Sequence, residues 1–207
     1  MDEEGWEGLT EETDEHLRAV TEMLGLWART TRQDAAAYRQ TAQKMREVDL
    51  AHEKGGYGID DRGWRRAYEA LWVAGYRLVT SGFHMEKWHK VHRDLRGKEL
   101  AMSQALRTVR NTLVHLDEAE FDWGFARKKG GDTRQRAIDA LPGERLLLGW
   151  APSYGEHVFG LISVEKLDER AGRLTWVDEM REDLLWEPTE FDYARMEEGY
   201  EDDVVED

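Results

Sequence analysis

Cysteine is absent from the 207-residue chain, which excludes disulfides, thiolate metal sites and cysteine nucleophiles and removes any redox clue to compartment. Proline occurs three times and never between Thr13 and His52, so no missing backbone donor interrupts that stretch. No apolar run approaches the roughly 20 residues that span a bilayer. The opening Met1-Asp2-Glu3-Glu4 has neither the basic end nor the apolar stretch of a signal peptide. No membrane partner is therefore expected, and a cytoplasmic location is the default. Also missing are a Walker-type phosphate loop, a Gly-x-Ser-x-Gly elbow and a dinucleotide fingerprint.

What is present is a chain with 40% hydrophobic and 35% charged residues, enough apolar material for a core under a well-solvated surface. Nine tryptophans give aromatic contacts a large share of the packing. The net charge of -15 is unevenly spread: residues 1–15 hold eight acids and no base, and residues 178–207 hold fourteen acids against Arg181 and Arg195. The remainder is a mildly basic body at a formal +5. Such acidic ends read as solvated tails or as shields over a basic surface that would otherwise hold phosphates unproductively.

Periodicity divides the chain. Positions 17, 20, 24, 27, 31, 35, 38, 42, 45 and 48 step by three or four and are mostly apolar or small, the seam of a long amphipathic helix. Gly25 and the polar run Thr30–Asp34 are candidate breaks in it. A loop at 54–61 leads to a second long helix, about 62–95, ended by Gly97. A third helix is expected over about 98–120. With Arg107 at 0° and about 100° per residue, Met102, Leu106, Val109, Leu113 and Leu116 share a core face. Arg107, Arg110, Asn111, Gln104, Val114, His115 and Glu118 lie opposite. After Pro142-Gly143 the pattern changes to short strands at 146–150, 157–164 and 174–177, joined by turns at 152–155 and 168–172. The expected organisation is an acidic segment 1–13, a helical bundle 14–142, a small antiparallel sheet 143–187 and an acidic disordered tail 188–207. The fold class is mainly α with a small C-terminal antiparallel β-meander.

The third helix holds Arg110, Asn111 and His115, an Arg, a polar residue directly after it, and a His five positions on. This motif resembles that of the HEPN superfamily, whose members are small helical bundles, often dimeric, many of them metal-independent ribonucleases of toxin-antitoxin, abortive-infection and CRISPR systems. The resemblance covers residues 14–140 in architecture and three positions in motif. It implies a homodimeric endoribonuclease of a toxin or defence system that needs no cofactor, acts on RNA and has an antitoxin or defence-system protein as a possible partner. Arg110, Asn111 and His115 would be catalytic. In one HEPN group a Tyr follows the His after one residue and is modified by a partner nucleotidyltransferase; Asp117 stands there, so that particular pairing is not implied. The alternative is a non-catalytic HEPN-like module that binds a protein partner in a multi-component complex, supported by the acidic ends, which disfavour free RNA, and by an exposed edge of the appended sheet that can accept a partner strand.

The residue types suit the chemistry on their own terms. Attack by a 2′-hydroxyl needs a base, an acid for the leaving 5′-oxygen and positive charge at phosphorus. Histidine transfers protons near neutrality, and arginine offers a planar fork of donors to phosphate oxygens. On an ideal helix Arg110 and His115 point about 140° apart, so two copies about a two-fold axis would converge them more readily than one. Arg77 and His84 fit a looser form of the motif without a polar residue after the Arg. Arg107 and the basic stretch Arg127, Lys128, Lys129, Arg134 and Arg136 are candidate RNA contacts, with Trp123 or Phe125 available for base stacking. The plain alternative is a solvated helix face with local ion pairs and a surface loop. Asp49 with His52, and Glu86 with His89, near His84 and His92, share a carboxylate-x-x-His spacing with di-iron helical bundles. The competing reading leaves His52 at a helix end and His84, His89 and His92 partly exposed. No dedicated zinc spacing is present, and no metal is expected.

Overall fold

The structure, a computed structural model, describes residues 4–55, 61–122, 124–129, 136–150 and 156–175. Two long helices, α1 (Glu4–Gly55) and α2 (Asp61–Leu95), pack along each other. The reason is a seam on α1 at Leu24, Ala28, Thr31, Ala35, Tyr38, Ala42 and Met45, all buried. Steps of four and three alternate, the spacing that keeps one stripe facing a partner helix. Alanine recurs every seventh position in this seam, at 28, 35 and 42, which lets the helices approach. From α2, Ala67, Leu71, Leu78, Val79 and Met85 complete the core.

The polar run at 30–34 does not interrupt α1. Thr30 and Thr31 donate their hydroxyls to the carbonyls of Leu26 and Trp27, at 2.9 and 2.7 Å, so their polar groups are satisfied within the helix rather than competing with it. Asp34, also buried, lies 3.6 Å from the Arg77 guanidinium of α2. At the other end of the pair, α2 closes where Gly97 was expected to end it. Gly97 adopts φ +67°, with Lys98 N–H donating to the Arg93 carbonyl (2.9 Å) and Gly97 N–H to that of Asp94 (3.1 Å). This is a Schellman closure, which needs a left-handed residue that glycine supplies without strain.

The third helix is shorter than its periodicity indicates. α3 spans Gln104–Val114, and Ser103 caps it by accepting from Leu106 N–H at 3.2 Å. A 3-10 turn at Leu116–Glu118 leads into β1 (Ala119–Asp122), then β2 (Phe125–Lys128), a short α4 (Arg136–Asp139), a 3-10 turn at Pro142–Glu144 and β3 (Arg145–Leu147). These strands form one antiparallel sheet in the order β1-β2-β3, with Ala126 opposite both Phe121 and Leu146. The chain is thus mainly helical with a small antiparallel sheet, as expected. That sheet is not confined to 143–187, because two of its strands precede Pro142; the change of periodicity there marks a turn within the sheet. The β-pattern at 119–128 is short and was hidden at the end of an apparent helix.

A two-stranded hairpin follows, β4 (His157–Val158) with β5 (Ile162–Ser163), and then a helix, α5 (Val164–Leu174). The turn expected at 168–172 and the strand expected from 174 are corrected by this helix. Val164, Leu167, Ala171 and Leu174 are buried at helical spacing, and Ser163 caps it by accepting from Lys166 N–H. α5 lies on the α1–α2 pair. Its Leu167 sits where a side chain on Gly82 would be, 2.9 Å from a Cβ placed there, so glycine at 82 sets how closely α5 packs. The acidic tail at 188–207 lies outside the described residues, as do Trp123 and Arg134. The backbone of the N-terminal segment from Glu4 to Thr13 is part of α1 rather than a separate element.

Candidate functional site

α3 carries the candidate motif on the face its core residues leave free. Leu106, Val109 and Leu113 are buried against the body, together with the hydroxyl-bearing Thr108 and Thr112. Arg107 is exposed, while Arg110 and Asn111 are half-buried. Arg110 is held from two sides. Its Nη1 donates to Asn111 Oδ1 at 3.2 Å, and its guanidinium lies 4.9 Å from the centre of the Phe83 ring on α2. The motif's Arg and Asn are therefore brought together.

His115 is not part of the helix proper. It is the C-cap of α3, with φ -107° and ψ 26°, and its N–H donates to the Asn111 carbonyl at 3.3 Å. Its side chain is about half exposed, and Nδ1 lies 3.7 Å from Glu118 Oε1 in the following turn. Leaving the helix at 115 releases the imidazole from the ideal-helix direction assumed from sequence, and Glu118 gives it a local anchor.

Another imidazole feels the charge of Arg110. His84 stacks on Trp27 of α1, with 4.5 Å between ring centroids and 22° between planes, and meets Phe83 edge-on at 5.7 Å. Burial pushes its pKa below the usual imidazole value, and the charges of Arg110 and Lys87 push it the same way. Sequence spacing pairs His84 with Arg77, which lies instead against Asp34. The relation between His84 and Arg110 spans two helices and leaves no local spacing to find.

The basic stretch is partly neutralised. Arg127 pairs with Asp122 at 3.0 Å and Lys128 with Asp139 at 2.7 Å, both across the small sheet and its connection. Lys129 is exposed, Arg136 begins α4, and Phe125 is covered by the Arg145 guanidinium at 4.3 Å. Phe125 therefore presents that face to an arginine of its own sheet.

The carboxylate-x-x-His pairs turn out to be structural. Asp49 accepts from two indoles, Trp64 Nε1 at 2.9 Å and Trp150 Nε1 at 3.1 Å, and so ties α1 to α2 and to the segment after β3. Glu86, 2% exposed, accepts from Arg170 of α5 at 2.9 Å and from Ser103 N–H at 2.7 Å. Among the described residues no three His, Asp or Glu side chains gather as a metal ion requires, so the di-iron reading lacks its ligand set. His89 and His92 are buried rather than partly exposed, and none of their four ring nitrogens has a hydrogen-bond partner among the described residues. Burial, then the charge of Arg170 and lesser contributions from His92 and Arg93, lowers the His89 pKa to about 3. Burial, then Arg96 and Arg93, lowers that of His92 to about 4.

Comparison with protein-family models, with curated proteins and with solved structures gives no match for this chain. No helix among the described residues is long and apolar enough to cross a membrane.

Proposed function

We propose that the chain is a metal-independent, HEPN-like endoribonuclease of a toxin or defence system that acts as a homodimer and cleaves RNA by attack of a 2′-hydroxyl. The observation that carries this reading is the Arg110–Asn111 hydrogen bond on the open face of α3, with an exposed His115 at the end of the same helix. Arg110 is held ready to place charge on a phosphate. Asn111 fixes the guanidinium without neutralising it, and His115 is reachable by solvent and substrate for proton transfer. Val114, 44% exposed between Asn111 and His115, gives the polar face an apolar spot that a second copy would cover. The test is incubation of purified protein with RNA in EDTA, comparing His115→Ala and Arg110→Ala. Cleavage by the wild type and loss in both variants is expected; cleavage unchanged in both variants rejects the assignment.

A second reading, a non-catalytic HEPN-like module for a protein partner, is favoured by the sheet edge. β1 is an edge strand of its sheet, and Phe121 on it is 62% exposed. An added strand with an apolar residue facing Phe121 is the chemistry that such an edge accepts. A stoichiometric protein partner co-purifying with an inactive chain, released by Phe121→Lys, would favour this reading over the enzyme.

A further inference from the structure

Three helices converge on an imidazole that the Arg-Asn-x3-His motif does not include. His84 comes from α2 and is stacked on the Trp27 indole of α1. The next residue back, Phe83, carries the Arg110 guanidinium of α3 over its ring and touches His84 with an edge. Arg110 is thus fixed beside His84 by an aromatic face and by Asn111. Along α2 the histidines differ sharply in access, since His89 and His92 are sealed in the interior whereas His84 is only half-buried. A stacked, oriented and reachable imidazole next to a positioned guanidinium is the pairing that phosphate-ester chemistry uses.

We infer that His84 is the general base of this site, taking the 2′-hydroxyl proton at the phosphate held by Arg110, so that one protomer supplies both anchor and base. The inference rests on the ribonuclease reading. In the step, the 2′-hydroxyl proton passes to an unprotonated ring nitrogen of His84 and the 2′-oxygen bonds to phosphorus. The bond from phosphorus to the 5′-oxygen breaks, and that oxygen receives a proton from protonated His115. The products are a 2′,3′-cyclic phosphate and a 5′-hydroxyl. His84 gains one proton and His115 loses one, solvent resets both, and nothing is oxidised or reduced. A base has to be unprotonated at working pH. The surroundings of His84 favour that form: burial, the Arg110 charge from α3 and the Lys87 charge from its own helix all oppose protonation, while α1 contributes the uncharged Trp27. Trp27 is a positioning residue, holding the ring plane.

The test is the pH dependence of kcat/KM on a short single-stranded RNA in EDTA, for wild type, His84→Asn and Lys87→Met, with the His84 titration followed by NMR in the same proteins. His84→Asn is expected to lose activity by about 10²–10⁴-fold, the usual weight of general base catalysis. Lys87 is exposed, so its replacement leaves the fold intact and removes one of the charges that oppose protonation of His84. In Lys87→Met the His84 titration and the acid limb of the rate profile should both move to higher pH by the same amount. An acid limb that stays put while the His84 titration moves overturns the inference, as does His84→Asn activity within about threefold of wild type, far short of a general-base effect. Should His84→Asn fail to fold, the Lys87→Met comparison decides. Wild type that does not cleave RNA overturns the ribonuclease reading and the base role with it, whereas cleavage that ignores His84 and Lys87 overturns the base role alone.

Discussion

Within little more than two turns, roughly the eight residues from His84 to His92, α2 uses histidine in two opposite ways. Near His84 and along α3, polar groups are held in place yet remain reachable: Arg110 against Phe83 and Asn111, His84 against Trp27, and His115 at the exposed end of α3. Near His89 and His92 the polar groups are sealed in. Glu86 joins α5 through Arg170 and the start of α3 through Ser103, and the two imidazoles are packed neutral beside that junction. The inner region positions helices, and the outer region can meet a substrate. Residue type is thus a poor guide to role when access is unknown, since the inner group contains the more perturbed histidines yet offers a substrate no entry.

The inner region is most vulnerable at Glu86. Replacing it with Ala removes the acceptor shared by Arg170 and Ser103 and leaves a guanidinium at the α2–α5 contact without this carboxylate. Losing one member of a buried pair costs about 3–5 kcal/mol, measurable by urea unfolding, and RNA cleavage in the surviving folded fraction should be retained. The inner histidines have the next largest effect. Their folded-state pKa values lie below that of the unfolded chain, so unfolding takes up protons in the interval between. Their contribution is fully present above about pH 6.5 and is lost as pH falls toward about 4 for His92 and about 3 for His89. Each should cost about 3 kcal/mol by pH 4. His92→Leu should flatten the stability profile over this range, as followed by circular dichroism at several pH values. The smallest effect is at the cap of α3. Ser103→Ala should cost about 1 kcal/mol and lower Tm by a few degrees, because the hydroxyl is lost while the Ser103 backbone bond to Glu86 remains.

The two long helices were legible because their signal is cooperative: a seam repeated over many turns outweighs Gly25 and the threonines at 30 and 31. The end of α2 was legible because Gly97 has one conformational use there. α3 was placed correctly in its centre and too long at both ends. Ser103 is a plain capping residue, but the apolar Met102 and Leu116 continue the helical period past the true boundaries, and the four-residue β1 is too short to announce itself. α5 was missed because Gly172 and the charged run before it read as a turn, although the buried positions 164, 167, 171 and 174 carry the helical period. Within the candidate site, Arg110, Asn111 and His115 were visible as a local motif. His84 was not, because its relation to Arg110 depends on how α2 and α3 cross. Nor could spacing distinguish Asp49 and Glu86 as structural acceptors from metal ligands, since the donors that occupy them come from residues 15 to 101 positions away.

A role for Arg110 and the imidazoles around α3 in transesterification of RNA is read from the ends of the products. A short RNA and its all-2′-deoxy counterpart are incubated with the protein in EDTA, and the termini are determined by mass spectrometry. The RNA should be cut to 2′,3′-cyclic phosphate and 5′-hydroxyl ends, the deoxy strand should stay intact, and Arg110→Ala should leave both uncut. Uncut RNA, cleavage of the deoxy strand, or products ending in 3′-hydroxyl and 5′-phosphate would contradict that role.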